Sequence, residues 1–251
     1  MKPDLKTKSA RILLPAAFWL AVWCLAAACV DQPLLVPSPI AVLRRLGELA
    51  AAPLFWRSTL VSLLRIFCGA LAGTILGTLC AVLTSRFRPV DWILAPAIRL
   101  VRATPVASFI ILVLLWVSTG KVPGVISALM VLPVVWESVS AGIRSADPQL
   151  LELAHSYQFS RCKLMRYVYL PAVRPHFAAG VCTAIGLAWK SGVAAEVLCL
   201  PKAAIGTQVY YSKIYLETPS LFAWTAVVIV LSMLLERIVR RLLGVKGGRK
   251  A

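Results

Sequence analysis

The sequence predicts an all-α membrane protein with six transmembrane helices. Of its 251 residues, 60% are hydrophobic and only 15% are charged, whereas a soluble domain carries about 25% charged residues. The apolar residues gather into segments of roughly 20 residues, the length that a helix needs to cross a bilayer. This excludes an aqueous nucleic-acid-binding protein, despite the formal net charge of +17. The spans are expected at about 12–30, 58–83, 104–118, 122–142, 172–199 and 219–239.

The N-terminal apolar run follows a basic segment, as it does in a secretory signal peptide. The run from Ile12 to Val30 is longer than a typical signal-peptide core, and no clear small-x-small cleavage site precedes Asp31. We therefore expect a retained first span. After it, Ser38 and Pro39 predict the start of a short amphipathic helix on the outer surface. That helix would be an interfacial anchor or a contact with an external partner.

The Lys and Arg residues predict the orientation, because they accumulate in the cytoplasmic loops of membrane proteins. Nineteen of the 27 lie on the side of both termini and six on the other side. The remaining two, Arg65 and Lys190, lie within or at the edge of spans. Both termini, and the loop between spans four and five, are thus expected in the cytoplasm. Pro96 and Pro105 predict an interfacial helix that leads into a kinked third span.

Two spans carry small residues at every fourth position, which places them on one helix face. In lipid, close backbone approach through such residues is a main source of helix association. We expect both faces to pack on neighbouring helices, within the subunit or across a dimer. The residues are Gly69, Gly73 and Gly77 in span two, and Gly180, Ala184, Ala188 and Gly192 in span five.

Ionisable residues inside spans are candidate sites, because each costs about 2.5–3.5 kcal/mol to insert. Lys190 lies roughly 14 Å from the outer end of span five by helical rise, and Glu196 lies shallower on another face of the helix. Lys190 either faces a water-filled cavity that attracts an anionic headgroup, pairs with Glu137 or Glu196, or snorkels. The candidate substrate path comprises Glu137, Trp189, Lys190 and Glu196. Arg65 is expected to snorkel to the outer interface.

The loop between spans four and five is amphipathic and basic, and it predicts two short helices joined by a bend. Asp147, followed by a proline, is a good helix start. The pattern breaks near Gln158, after which Ser160 can cap the second helix. Glu152 in the first helix is close enough in principle to pair with a basic residue of the second, such as Arg166, and so fix the bend. From the residues alone, this elbow could also be a pair of lipid-surface helices with no particular function.

The loop resembles the EAA loop of permeases of binding-protein-dependent ABC importers, in which Glu-Ala-Ala is followed by three residues, a Gly and later a Leu-Pro. Here Glu152-Leu153-Ala154 takes the place of Glu-Ala-Ala, and Pro171 follows at the family spacing. Gln158 stands where the family has Gly, and a left-handed Gln costs roughly 1 kcal/mol, so the turn is expected to shift toward Ser160. The docking residues that the resemblance implies are Asp147, Leu151, Glu152, Ala154, Gln158, Ser160, Arg166, Leu170 and Pro171.

The resemblance covers nearly the whole chain, from "VPSPIAVL" through "GLAWKSGVAAEVL" to "LFAWTAVVIVLSMLLERIVRR", and it is to the nitrate/sulfonate/taurine branch. It implies the type I ABC importer permease (MetI-like) fold in the cell inner membrane. An N-tail, first helix and outer segment would occupy 1–57. The permease core would occupy 58–241, with the ATPase-docking loop at 143–171, and a basic cytoplasmic tail would occupy 242–251.

The resemblance also implies a non-catalytic transport subunit that forms the path of a small anionic solute, such as a sulfonate, taurine or nitrate. A thiamine-precursor pyrimidine or another ring compound is the alternative cargo. The implied partners are a second copy of the chain, two ABC ATPase subunits that bind ATP and Mg, and an external substrate-binding protein; no nucleic acid is expected.

The chain itself is expected to bind no cofactor and no metal. It has no nucleotide-binding motif, and its seven Cys lie mostly inside apolar runs, as packing thiols rather than as ligands or disulfides. The distant alternative is a polytopic membrane enzyme or a scaffold. An enzyme would need clustered acids, bases or metal ligands, and the charges here are scattered.

Overall fold

The computed structural model describes residues 5–30, 32 and 34–244, and these residues form helices without any strand, which confirms the all-α class. Residues 1–4 of the N-terminal tail and 245–251 of the predicted basic tail, 242–251, lie outside the described residues. The α-helices are α1 Leu5–Val30, α2 Pro39–Ala51, α3 Pro53–Arg86, α4 Arg88–Ala103, α5 Val106–Leu114, α6 Val122–Arg144, α7 Pro148–Ser156, α8 Arg161–Leu164, α9 Leu170–Cys199, α10 Ile205–Ile214 and α11 Thr218–Leu242, with a π-helical turn at Met165–Tyr169.

Four helices of the described residues are long and apolar enough to cross a membrane: α3, α6, the helix that runs unbroken from Arg161 to Cys199, and α11. The bent pair of α4 and α5 passes the same test only when the two are taken together. The first predicted span lies within α1, whose described apolar part, Ala17–Val30, is shorter than a full span. The protein is therefore a multi-pass membrane protein.

α3 and α6 are in close backbone contact along a seam of small residues, and they run in the same direction. A Cβ added at Gly73 would lie 2.5 Å from the carbonyl oxygen of Ala128, and one added at Gly77 would lie 2.6 Å from that of Leu132. Gly69 meets the backbone of Gly124 in the same way. No other residue type allows two helices to come so close, because any Cβ here would clash with a main chain.

α9 packs on α6 in the opposite direction. Gly180 faces the side chain of Ser138 of α6. Gly192, twelve residues later, faces Ser127 of α6 and Ile66 of α3. The hydroxyl of Ser127 donates to the carbonyl oxygen of Pro123 at 2.8 Å and lies 3.2 Å from the carbonyl oxygen of Ala188. Ala184 and Ala188 lie in the same buried core. The small residues of the second and fifth predicted spans thus lie at helix contacts within one subunit.

The bent pair returns the chain across the bundle. Because α3 and α6 are parallel, the segment between them must cross back, and that segment contains α4 and α5. The chain bends by 106° between the two helices. Thr104 is forced into an extended conformation (ψ 134°) by the proline that follows it, and Pro105 has no N–H to continue the helix. The kinked third span is explained by these two residues.

The glycine seam predicts a sharp stability difference between two glycines. Gly73→Ala should destabilise the protein by about 1–3 kcal/mol, because the neighbour that the new Cβ meets is backbone and cannot rotate away. Gly47→Ala in α2 is the matched control, since an added Cβ there has nothing within 4 Å, and it should gain up to about 1 kcal/mol from helix propensity. Thermal unfolding in detergent measures both, and equal stability of the two variants would contradict the seam.

α2 is held against α11 on the side of the bundle where α6 begins. Arg45 donates to Ser220 at 2.8 Å, to Glu48 at 2.9 Å and to Glu217 at 3.1 Å. Ser38 caps the helix by accepting from the amide of Ala41, as predicted. The outer segment is therefore a fixed part of the bundle. We call this side the α2 side, and the side where α6 ends and α7 follows the elbow side.

Candidate functional site

The elbow, residues 147–171, begins with a well-capped helix. Asp147 accepts from the amide of Gln149 at 2.9 Å, and Pro148 occupies the first helical position. At the other end of α7, the amide of Gln158 donates to His155 at 3.0 Å and that of Phe159 donates to Ala154 at 2.9 Å. These are the two bonds of a Schellman motif, which needs a left-handed residue after the helix end.

That left-handed residue is Gln158, at φ +50°. The turn therefore lies where the EAA pattern has Gly, and the expected shift toward Ser160 is wrong. Ser160 instead caps the next helix, with its hydroxyl accepting from the amide of Lys163 at 3.4 Å. The two helix-end hydrogen bonds offset the strain of a left-handed residue that carries a side chain.

Gln158→Gly should stabilise the elbow by about 1 kcal/mol, since Gly adopts positive φ without steric cost. Ser156→Gly, at an ordinary helical position two residues earlier, should instead lose about 1 kcal/mol of helix stability. Hydrogen exchange of the elbow amides distinguishes the two. If both variants exchange faster than the parent chain, the left-handed turn is not at residue 158.

The second half of the elbow is not a separate short helix, as the sequence suggested, but the beginning of the long helix. α8, the π turn and α9 run without a break from Arg161 to Cys199. Pro171 has no amide hydrogen to donate, and just before it the amide of Leu170 donates five residues back, to Met165. This π turn adds a residue without interrupting the helix. Any force on the elbow is thus applied directly to the end of a membrane-spanning helix.

A small hydrophobic cluster fixes the bend. Ala154 of α7 and Val168 of the π turn are buried in one cluster, and Leu151 and Leu164 pack against it. Glu152 is exposed and has no basic partner within 4 Å in the described part of the chain. The predicted ion pair between Glu152 and the basic residues of the second helix, such as Arg166, is therefore wrong, and apolar packing replaces it.

A second apolar face of α7 points away from the bundle, and sequence reasoning missed it. Leu150, Leu153 and Tyr157 are 48%, 54% and 71% exposed. Their spacing of three and four residues was a readable signal of one helix face. We call these three residues the elbow face. Among the predicted docking residues, Ala154 is buried and Leu151 half-buried inside the elbow, whereas Glu152, Gln158, Ser160, Arg166, Leu170 and Pro171 are exposed.

Glu196 is fully buried and forms the centre of a polar network near the α2 side. Its carboxylate accepts from Ser62 at 2.8 Å, from the amide of Gly206 at 3.1 Å and from Arg65 at 3.3 Å. Arg65 therefore does not snorkel; its side chain is only 18% exposed and is turned inward to Glu196. Glu196 is also not the partner of Lys190.

This network holds the first turn of α10, a helix that the sequence did not predict. The capping position is Ala204, whose methyl side chain cannot accept a hydrogen bond. The hydroxyl of Ser62 accepts the amide of Ile205 at 2.9 Å, and Glu196 accepts that of Gly206. A carboxylate at a helix N-terminus is favourably placed. Helices α3, α9 and α10 are thereby tied together at one buried point.

The other substrate-path candidates lie in different surroundings. Glu137 pairs with Arg102 of α4 and not with Lys190. Trp189 is 1% exposed and donates to the carbonyl oxygen of Val228 at 3.0 Å, so it belongs to the core. Lys190 is exposed on a face of α9 that also carries Leu187, and no carboxylate lies within 4 Å of it in the described residues.

The arrangement joins the elbow mechanically to the bundle, because the elbow continues into a spanning helix. Across residues 5–30, 32 and 34–244, no three His, Cys, Asp or Glu side chains gather as a metal site requires. The features that stand out are an elbow continuous with a spanning helix, close helix seams, and the buried Arg65–Glu196 pair.

Comparison with known proteins agrees with this description. The family of inner membrane components of binding-protein-dependent transport systems matches residues 73–243. The taurine transport system permease protein TauC of Escherichia coli is 27% identical over 85% of this chain and 80% of its own length. The riboflavin transport system permease protein RibX of Chloroflexus aurantiacus is 28% identical over 82% and 80%.

The same architecture occurs in a solved structure, the crystal structure of an amino acid ABC transporter with histidines. It superposes with a TM-score of 0.64 at 20% identity, over 79% of this chain and 95% of that one. The fold is thus the type I permease fold expected from the sequence. With a family match over residues 73–243 and an elbow joined to a spanning helix, this chain belongs to the inner-membrane permease components of binding-protein-dependent transport systems.

Proposed function

We propose that this permease works as a homodimer in an ATP-driven importer and forms the path of a small anionic solute. Two ABC ATPase subunits bind ATP and Mg and dock on the elbows, and an external binding protein delivers the solute to the α2 side. Both termini and the elbow face the cytoplasm, in keeping with the bias of Lys and Arg toward that side.

The observation that carries this proposal is the unbroken helix from Arg161 to Cys199. Its first turns lie in the elbow, and its middle is in close contact with α6 through Gly180 and Gly192. Movement of a docked ATPase therefore displaces a helix that crosses the membrane, and the seams pass the displacement to α6 and α3. Alternating access follows when two such subunits move together.

An anionic solute is supported by the resemblance to the taurine permease and by Lys190. This lysine lies nine residues before the end of α9, about 14 Å deep by helical rise, on the exposed face of that helix. A cation at this depth is costly to leave in lipid. Where two subunits enclose an aqueous path, the same cation attracts a sulfonate or another oxyanion.

The test is uptake into proteoliposomes that contain this permease, its ATPase and its binding protein. We expect ATP- and Mg-dependent accumulation of taurine or a short alkanesulfonate, and none with ATP omitted. The second candidate cargo is a ring compound, favoured by the likeness to the riboflavin permease. Uptake of riboflavin or a pyrimidine in place of sulfonates would select it, and ATP-independent uptake would overturn the importer itself.

Lys190→Met should lower kcat/KM for the anionic solute about tenfold or more, because a charged hydrogen bond is worth roughly 1.5–3 kcal/mol. Lys190→Arg retains the charge and should retain most of the uptake. Leu187→Ala, on the same face, is the matched control and should leave uptake nearly unchanged. Normal transport by Lys190→Met, at the expression level of the parent, would remove this residue from the path.

A further inference from the structure

A cavity of about 310 Å³ lies between α4 and α6 toward the elbow side. Three of the eight residues that line it are arginines. The polar residues that line it are Arg99, Arg102, Glu137, Ser140 and Arg144. Glu137 is seven residues before the end of α6, so the cavity extends about 10 Å along α6 by helical rise, and the side chains of Arg102 and Glu137 are 62% and 52% exposed.

Charge is not balanced in this cavity. Among the described residues that line the cavity, Glu137 is the one carboxylate, and it pairs with Arg102. Arg99 and Arg144 have no carboxylate within 4 Å among the residues that the structure describes. Three arginines against one glutamate leave a formal excess of two positive charges. A general bias of basic residues toward one side of a membrane does not require that three of them converge on one cavity.

A buried hydroxyl provides independent support. Ser140 is only 3% exposed, and its Oγ has no hydrogen-bond partner in the described part of the protein. Buried polar atoms nearly always have a partner, and one that lacks it calls for an explanation. The indole N–H of Trp136, on the same wall, is already donated to Thr84 at 3.0 Å. Ser140 therefore adds a free donor beside the arginines.

The geometry points to a binding site for a sulfonate, phosphate or similar oxyanion in this cavity. Arginine presents N–H groups in a planar fork that matches the oxygens of such anions, and a hydroxyl can supply a further donor. The volume lies at the lower end of the range for small-ligand sites. The anion comes either from the transported solute or from the headgroup of an anionic lipid.

Where the anion is the transported solute, this cavity is its last binding site before it reaches the cytoplasm. This assignment rests on the proposed function and orientation. An entering oxyanion competes with Glu137 for Arg102. The ion pair between α4 and α6 opens when the anion is present and closes again when it leaves. The site is separate from Lys190, which lies on α9.

The test measures binding of ethanesulfonate, sulfate and phosphate to the permease–ATPase complex in phosphatidylcholine nanodiscs, without the binding protein. The Lys190→Met background removes the other proposed anion contact. Arg99→Gln and Arg144→Gln should each raise Kd about tenfold, and Ser140→Ala should raise it several-fold. Glu137→Gln should lower Kd, because it removes the competing carboxylate. Arg88→Gln, on α4 but outside the cavity, should leave Kd unchanged.

An unchanged Kd in both arginine variants, or equal weakening by Arg88→Gln, would overturn the site. The lipid source is distinguished by adding phosphatidylglycerol to the nanodiscs. If this lipid displaces ethanesulfonate in the parent complex but has no effect in Arg99→Gln, the site holds a lipid headgroup. Because no uptake is measured, failure of this site and failure of the importer are separate results.

Discussion

Arg65→Leu should destabilise the protein by about 3–5 kcal/mol. The variant leaves the carboxylate of Glu196 fully buried without its cation, and breaking a buried pair from one side carries a cost of that size. The loss should concentrate at α10, whose first amide hydrogens are held by Ser62 and Glu196. Thermal unfolding in detergent gives the overall change, and hydrogen exchange of α10 locates it.

The double variant Arg65→Leu with Glu196→Gln separates charge from packing. A glutamine amide oxygen can still accept from Ser62 and from the amide of Gly206, while no charge remains buried. The double variant should therefore recover much of the stability that the single variant loses. Arg57→Leu is the matched control, because Arg57 lies on the same helix and is exposed, and it should change stability by less than about 0.5 kcal/mol. A double variant as unstable as the single one would show that lost packing dominates.

The parts of this fold that sequence reasoning predicted depend on local signals. Asp147 and Ser38 cap their helices because a cap needs only its own neighbours. The bend after α4 follows from Pro105 and the residue before it. The spacing of Gly69, Gly73 and Gly77 already defines one face of a helix. Only the structure shows that the helix packed on this face is α6.

The parts that were missed depend on how distant helices are rotated against each other. Arg65 and Glu196 are 131 residues apart, and no local pattern says that their faces meet. α10 was missed for the same reason, because the groups that hold its first turn come from α3 and α9. In the elbow, Leu150 and Leu151 are adjacent in sequence, and only the fold shows that the first points outward and the second inward.

Removal of the elbow face should abolish transport while leaving the permease folded. In the variant Leu150→Ala, Leu153→Ala, Tyr157→Ala, the three side chains lost are about half or more exposed, so the core and the α7–α8 packing are retained. On the proposed function, these side chains are the contact with the ATPase. A few residues carry most of the binding energy of a protein interface, at about 2 kcal/mol or more each, and Tyr is enriched among them. We expect the ATPase to be lost on co-purification and uptake to fall to background.

The matched control removes exposed side chains of the same kinds on the α2 side, in the variant Leu54→Ala, Tyr215→Ala, whose residues are 51% and 70% exposed. Because these residues lie on the side opposite the elbow, this variant should retain the ATPase on co-purification. The alternative role of the elbow is a lipid-surface helix pair, and it predicts a different result for the elbow-face variant. Under that alternative, loss of the elbow face would leave ATPase co-purification intact and would instead weaken contact of the elbow with lipid headgroups, measurable by hydrogen exchange in nanodiscs. α8 continues into α9. If the elbow-face variant retains the ATPase but loses uptake, the defect lies in the transmission of movement to that helix and not in ATPase binding.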